Sequence, residues 1–248
     1  VRHLPRFFDY STELSYSKTE RVTDINDIQH PAIREAMKML DMREIRLTYE
    51  ADLPARSGLG TSSSFAVGML NAFYALKGKY ADKKKLADEI HSLHARLMVS
   101  IWPNAMNCPQ HADFKQKNLL LHSSAIYDAF NPLARKLYWS YAKNEFFDNG
   151  FDAWWCDASE PLDADWTHMG DHYGDDSHKS RWELNTKLLS DVLGAERSQL
   201  YSLYHAMGIY ENQRATSSDK RVVNLTRSSY AGQQRYSTIT WNGDTYAS

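Results

Sequence analysis

The 248 residues carry 29 Lys and Arg against 31 Asp and Glu, with 42% hydrophobic and 24% charged residues. This balance excludes intrinsic disorder and leaves no basic footprint for nucleic acid or an anionic membrane surface. Two cysteines far apart, Cys108 and Cys156, imply neither a disulfide framework nor a metal site, and no segment reaches the roughly 20 apolar residues that span a bilayer.

The chain opens on VRHLPRFFDY, which has no initiator Met and no apolar core of a signal peptide, and it closes on Ser248. Both ends read as cut, and a reducing, cytoplasmic setting is the expectation. Residues 12–22 and 44–50 alternate like strands with one solvated face. Between them, His30 to Leu40 has Pro31 at a first helical position and apolar residues at helical spacing. Ser62 to Leu76 reads as a mostly apolar helix ended at Gly78, Lys83 to His94 as a charged amphipathic helix, and Ala95 to Ile101 as a buried strand.

A strand–helix rhythm follows. The predicted order is a helix over Pro132 to Asn149, a strand FDAWWC (Phe151 to Cys156), a long helical stretch from Arg181 to Tyr210, and strands over Arg221 to Thr226 and through STITW. Alternation of this kind favours a parallel sheet in an α/β fold. Asp157 to His178 is a long loop with seven acidic residues and no Lys or Arg. Its histidines at i,i+4 spacing lack a helical pattern, so a solvated acidic loop is expected there rather than a metal site.

Two stretches carry chemistry in the second part of the chain. FDAWWCDASEP and RYSTITWNGD each end a β-prone apolar run in a carboxylate, Asp157 in the first and Asp244 in the second. Groups just past parallel strands are where a (β/α) barrel keeps its chemistry. Two carboxylates so delivered are what glycosidic-bond cleavage needs. An isolated Asp after a strand is also an ordinary turn former, and adjacent Trp154 and Trp155 must face opposite ways on a strand.

The first part carries a different motif. ADLPARSGLGTSSSFAVGML places Gly58 and Gly60 between a strand and a helix, followed by Thr61, Ser62 and Ser63. Glycines let the backbone approach a phosphate, and a helix N-terminus favours an anion; a Ser-capped helix after a tight turn is the plainer alternative. The string resembles the Pro-x-x-x-Gly-Leu-Gly-Ser-Ser motif of the GHMP small-molecule kinases, and residues 1–86 resemble their heptose 7-phosphate branch. The resemblance implies that Gly58, Gly60, Thr61, Ser62 and Ser63 wrap ATP phosphates, with Ser62 near Mg2+, so that Mg-ATP would be this segment's cofactor. The rest of such a site, its catalytic Asp included, is not in the sequence.

From about Asp88 the strings DEIHSLHARLMVSIWPN, FDAWWCDASEP, KRVVNLTRSSYAGQQRY and TITWNGD resemble glycoside hydrolase family 31, in its α-xylosidase-like members. The resemblance implies a partial (β/α)8 barrel of about four strand–helix units over residues 88–248, preceded by an α+β kinase-like fragment over 1–87. It makes Asp157 the nucleophile and Asp244 the general acid/base of a retaining α-glycosidase that needs no cofactor and takes an α-linked oligosaccharide or xyloside. Arg227 matches a subsite arginine able to hold Asp244 or sugar hydroxyls, Trp102 and Trp241 match subsite walls, and Glu160 completes an Asp-x-x-Glu string as a loop organiser. Leu86 to Glu89 fits both families and marks the expected seam. Three readings follow: a retaining α-glycosidase, a GHMP-type sugar kinase, and a composite of two fragments with neither activity. The glycosidase is preferred as the family role, with no useful turnover expected from the chain by itself.

Overall fold

The computed structural model describes residues 1–50, 61–92, 94–105, 108–121, 125–161, 187 and 189–242, with the backbone alone given for 61–64. The chain divides into two compact units, Val1–Leu86 and Ala87–Ser248.

In the first unit, strands β1 (Arg2–His3), β2 (Thr12–Ser15), β3 (Thr19–Val22) and β4 (Ile45–Thr48) form a sheet in the order β1-β4-β2-β3. The alternating stretch 12–22 is therefore a hairpin and not one strand: it reverses at Tyr16–Lys18, where the Tyr16 N–H donates to the Lys18 carbonyl at 2.8 Å. Helix α1 (Pro31–Met39) starts where Pro31 predicts, with His30 Nδ1 accepting from the Ile33 N–H at 3.4 Å. Helix α2 (Thr61–Leu76) covers the expected Ser62 to Leu76, and Gly78 at φ 65° closes it. Leu14, Ile33, Met37, Ile45, Leu47 and Phe73 form the buried core between this sheet and its helices. Helix α3 (Lys83–Ser92) carries the chain across the division at Leu86.

The second unit is built on a wholly parallel sheet, β5 (Met98–Ile101), β6 (Ala153–Cys156), β7 (Asn224–Thr226) and β8 (Thr238–Thr240), ordered as in the chain. Helices α4 (Gln110–Gln116), α5 (Pro132–Glu145) and α6 (Tyr201–Thr216) lie between these strands in sequence. On one face of the sheet, Ile101, Trp154, Cys156 and Val222 pack with Trp139 of α5 and Ile209 of α6. Trp154 is fully buried and donates Nε1–H to Gln213 Oε1 at 2.7 Å, which satisfies its one polar atom. Its neighbour Trp155 points to the other face, in a row with Ser100, Leu225 and Ile239 set by the register.

Helices α5 and α6 approach closely at Gly208, where a Cβ would meet Arg135 Cδ at 2.6 Å and Arg135 Cβ at 3.0 Å. Arg135 is fixed there by donating Nη1–H to the Ala129 and Phe130 carbonyls at 2.8 and 3.2 Å. Deeper in α6 the imidazole of His205 is fully buried, with Nδ1 2.6 Å from the Tyr127 hydroxyl and no partner for Nε2 among the described residues.

Three elements differ from the sequence reading. The strand expected to be buried over Ala95 to Ile101 is shorter, and at the edge of the sheet formed by the described residues only its Ile101 is buried. The helix expected to run to Asn149 ends at Glu145, and a 3-10 turn over Phe147–Asn149 closes on Gly150 at φ 98°. The long helix expected from Arg181 to Tyr210 is interrupted: Gly194 sits at φ 81°, turns follow, and α6 then runs on to Thr216. Gly194 takes a left-handed conformation that ends regular helix, whereas α5 is capped at Phe146 and Gly150 closes only the 3-10 turn after it.

Candidate active site

Every described candidate residue of the second unit stands just past the C-terminal end of a parallel strand: Trp102 after β5, Asp157 after β6, Arg227 after β7 and Trp241 after β8. Parallel pairing makes this one edge of one sheet, so residues far apart in sequence share a rim. Asp244 lies outside the described residues, as do Gly58 and Gly60; the side chains of Thr61, Ser62 and Ser63 also lie outside them.

Asp157 leaves the sheet through a tight reversal. Its N–H reaches the Ile101 and Trp155 carbonyls at 3.2 and 3.0 Å, and Ala158 follows at φ 50°. A left-handed alanine costs about 1–2 kcal/mol relative to the usual basin. It is held by burial, since Ala158 and Ser159 are 1% and 0% exposed. The reversal turns the Ala158 N–H onto Asp157 Oδ1 at 2.8 Å.

Arg227 ties the loops after β6 and β7 together. Its Nε and Nη2 donate to Glu160 Oε1 and Oε2 at 2.7 and 3.1 Å, a two-bond fork on one carboxylate. Its Nη1 stands 3.2 Å from Asp157 Oδ1. The three side chains are only 13–18% exposed, so water competes little for these contacts. A second link runs from the Ser228 N–H to Ser159 Oγ at 3.1 Å. Gln233, fully buried, braces the same loop by donating to Thr226 Oγ1 and the Ser228 carbonyl, both at 3.3 Å.

The tryptophans frame this rim. Trp241 donates its N–H to the Thr226 carbonyl at 2.9 Å and sets its ring edge-on to Trp155 at 5.3 Å. The Trp102 carbonyl accepts from the Tyr138 hydroxyl at 2.9 Å. Beneath Asp157, burial pushes the Cys156 thiol up, so it stays protonated and acts as packing.

The opposite edge has its own polar cluster. Asp152, just before β6, accepts on Oδ2 from His91 Nε2 at 2.7 Å and from the Leu97 N–H at 3.0 Å, while Lys220 Nζ stands 3.3 Å from Oδ1. Burial pushes the Asp152 carboxyl up, but the Leu97 N–H, His91 and Lys220 together outweigh it and hold the carboxyl below its ordinary value. Placed at the N-terminal end of the strands, this cluster serves stability.

The rim brings Asp157 and Arg227 together, with Trp241 past the neighbouring strand. Glu160 goes further than an organiser of its own loop, because its carboxylate takes the Arg227 fork that was expected to hold Asp244 or a sugar. Ser159, Ser228 and Gln233 were not foreseen; small polar residues beside a motif give no signal until the fold shows what they bridge.

The family model for the glycosyl hydrolases family 31 TIM-barrel domain matches residues 39–248. An α-xylosidase from Saccharolobus solfataricus is 37% identical over 175 residues, 70% of this chain and 22% of that protein. A family 31 glucosidase from Pseudescherichia vulneris, itself uncharacterized, is 29% identical over 68% of this chain and 31% of its own length. Among solved structures, a GH31 α-xylosidase from a soil metagenome complexed with xylose aligns with a TM-score of 0.51 at 26% identity, covering 67% of this chain and 24% of that one. The GH31 α-xylosidase of Xanthomonas citri aligns at 0.50 and 25%, covering 65% and 18%. The chain thus spans about a fifth to a third of the length of these relatives. All four are glycoside hydrolases, and they lend no support to the kinase reading of Gly58 to Ser63 or to a composite origin; the family match itself begins inside the kinase-like segment, at residue 39. With that model covering most of its length and a parallel sheet carrying its candidate residues on one rim, the chain belongs to glycosyl hydrolase family 31.

Proposed function

We propose that this chain carries the catalytic pair of a retaining α-glycosidase acting on α-linked xylosides, with Asp157 as nucleophile and Asp244 as general acid/base. The observation that carries the reading is the placement of Asp157: it closes a parallel strand, most of its side chain is shielded, and one oxygen is anchored. The xylosidase names of the relatives favour a xyloside over other α-glycosides. In the first half-reaction a carboxylate oxygen of Asp157 attacks the anomeric carbon. The bond to the leaving oxygen breaks as Asp244 gives that oxygen its proton. In the second half-reaction Asp244 takes a proton from water, which attacks the same carbon and frees Asp157 with net retention. The mechanism calls for a carboxylate separation of ~5–5.5 Å. Trp241 and Trp102 would offer apolar faces to the sugar.

Among the described residues the sheet has four parallel strands, and a barrel closes only when strand number and shear agree. Repeated turnover by the chain alone is therefore not expected above background. A trap that needs one bond-forming event reads the chemistry independently. Incubation with 5-fluoro-α-xylosyl fluoride, followed by intact-mass and peptide mapping, should place one glycosyl adduct on Asp157. The Asp157→Asn variant should carry none, and Asp244→Asn should form the adduct but release it more slowly. An adduct that persists in Asp157→Asn, or its absence from the parent, overturns the assignment.

A further inference from the structure

We infer that Glu160 is a positioning residue for the nucleophile Asp157, acting through Arg227. This rests on the reading of Asp157 as nucleophile. Asp157 Oδ1 accepts the Ala158 N–H at 2.8 Å and stands 3.2 Å from Arg227 Nη1. These two contacts on Oδ1 fix where the Asp157 carboxylate points.

That anchoring depends on Glu160. A guanidinium on a flexible stem has many orientations, and the 3.2 Å contact with Asp157 does not by itself select among them. The paired bonds from Nε and Nη2 to the Glu160 carboxylate, at 2.7 and 3.1 Å, fix the guanidinium plane and leave Nη1 facing Asp157. Glu160 stands three residues after Asp157 on the same tight reversal, and the Ser228 N–H to Ser159 Oγ bond at 3.1 Å locks that reversal to the Arg227 loop. Both ends of the Glu160–Arg227–Asp157 chain are thus set by one piece of backbone. Placement of this kind governs rate steeply, since ~1 Å of error can cost on the order of 100-fold.

The fluoride trap isolates this step. Carbon–oxygen bond formation at Asp157 expels fluoride, a leaving group that needs no proton, so Asp244 is not read. Labelling should be measured as a maximal rate and a half-saturating concentration for the parent, Glu160→Gln, Arg227→Met and the double variant. Glu160→Gln should lower the maximal rate by about 10- to 100-fold with half-saturation changed less than about threefold. In the Arg227→Met background the same substitution should change the rate by less than about twofold, because the route to Asp157 through the guanidinium is already gone. In parallel, the side-chain Nε–H proton of Arg227, followed by NMR, should be protected from solvent exchange in the parent and lose that protection in Glu160→Gln. Undiminished labelling by Glu160→Gln, independent losses that multiply in the double variant, or unchanged Nε–H protection would each overturn the inference. A parent that is never labelled refutes the nucleophile reading instead, and the Nε–H result then still decides whether Glu160 orients Arg227.

Discussion

The buried imidazole of His205 should make the second unit acid-labile as pH falls below 6.5. Burial lowers the His205 pKa from 6.5 to about 3, since a cation there would face a Tyr127 hydroxyl on one nitrogen and have no described partner on the other. The Tyr127 hydroxyl is itself pushed well up by burial and stays protonated. The sign follows from proton linkage. The unfolded chain binds a proton at this imidazole below pH 6.5 and the folded chain does not, so stability falls as pH drops through 6.5 and levels only near the folded value. Each pH unit below 6.5 costs ~1.4 kcal/mol, which amounts to about 2 kcal/mol at pH 5. With a denaturant slope of ~2 kcal/mol/M, the urea midpoint should drop by about 1 M between pH 8 and pH 5. Tryptophan fluorescence is the selective probe, because all seven Trp residues lie beyond residue 86. His205→Gln keeps an acceptor for Tyr127 and should lose this part of the pH dependence. Equal pH slopes for the parent and His205→Gln would refute the assignment of acid sensitivity to this residue.

Asp152→Asn should cost about 1–3 kcal/mol in the same unfolding assay at pH 7, because it weakens bonds to His91, Leu97 and Lys220 at once. The loss should shrink as pH falls below the ~3.9 of a free carboxylate, while the rate of trapping at Asp157 stays at the parent value; slowed trapping would show that the two edges are not separable. At Gly208 two effects oppose each other. Helix propensity alone favours Ala by roughly 1 kcal/mol, but the new Cβ would meet Arg135 from Cβ to Cδ at 3.0 to 2.6 Å, where Arg135 is tied down by its bonds to Ala129 and Phe130. Overpacking should win, with Gly208→Ala destabilising by about 1–2 kcal/mol on thermal or urea melts; a rise in stability would show that Arg135 moves aside freely.

Much of the second unit is legible in its amino acids because its signals are local. FDAWWC is apolar enough for a strand buried by a parallel sheet, and a carboxylate that ends such a run must sit at the strand's end. Pro31, Pro132 and Gly78 act on their own backbone, so three helix ends were fixed before any folding was considered. Periodicity could not show that Gly194 would be used to break a helix, since a glycine inside a helical pattern is tolerated or terminal according to what packs around it. Nor could it show that residues 98–101 would lie at the edge of the sheet formed by the described residues, because an edge strand and an interior strand share one pattern and differ only in their neighbours. The Arg227 fork is the clearest case. Sequence supplied an arginine beyond one strand and an Asp-x-x-Glu string beyond another, 67 residues away. Whether that arginine meets Glu160, Asp157 or neither depends on the register of β6 against β7 and on the left-handed turn at Ala158. Chemistry-bearing residues are chosen by sequence, but which of them touch is decided by strand pairing, because only pairing brings distant loops onto one rim.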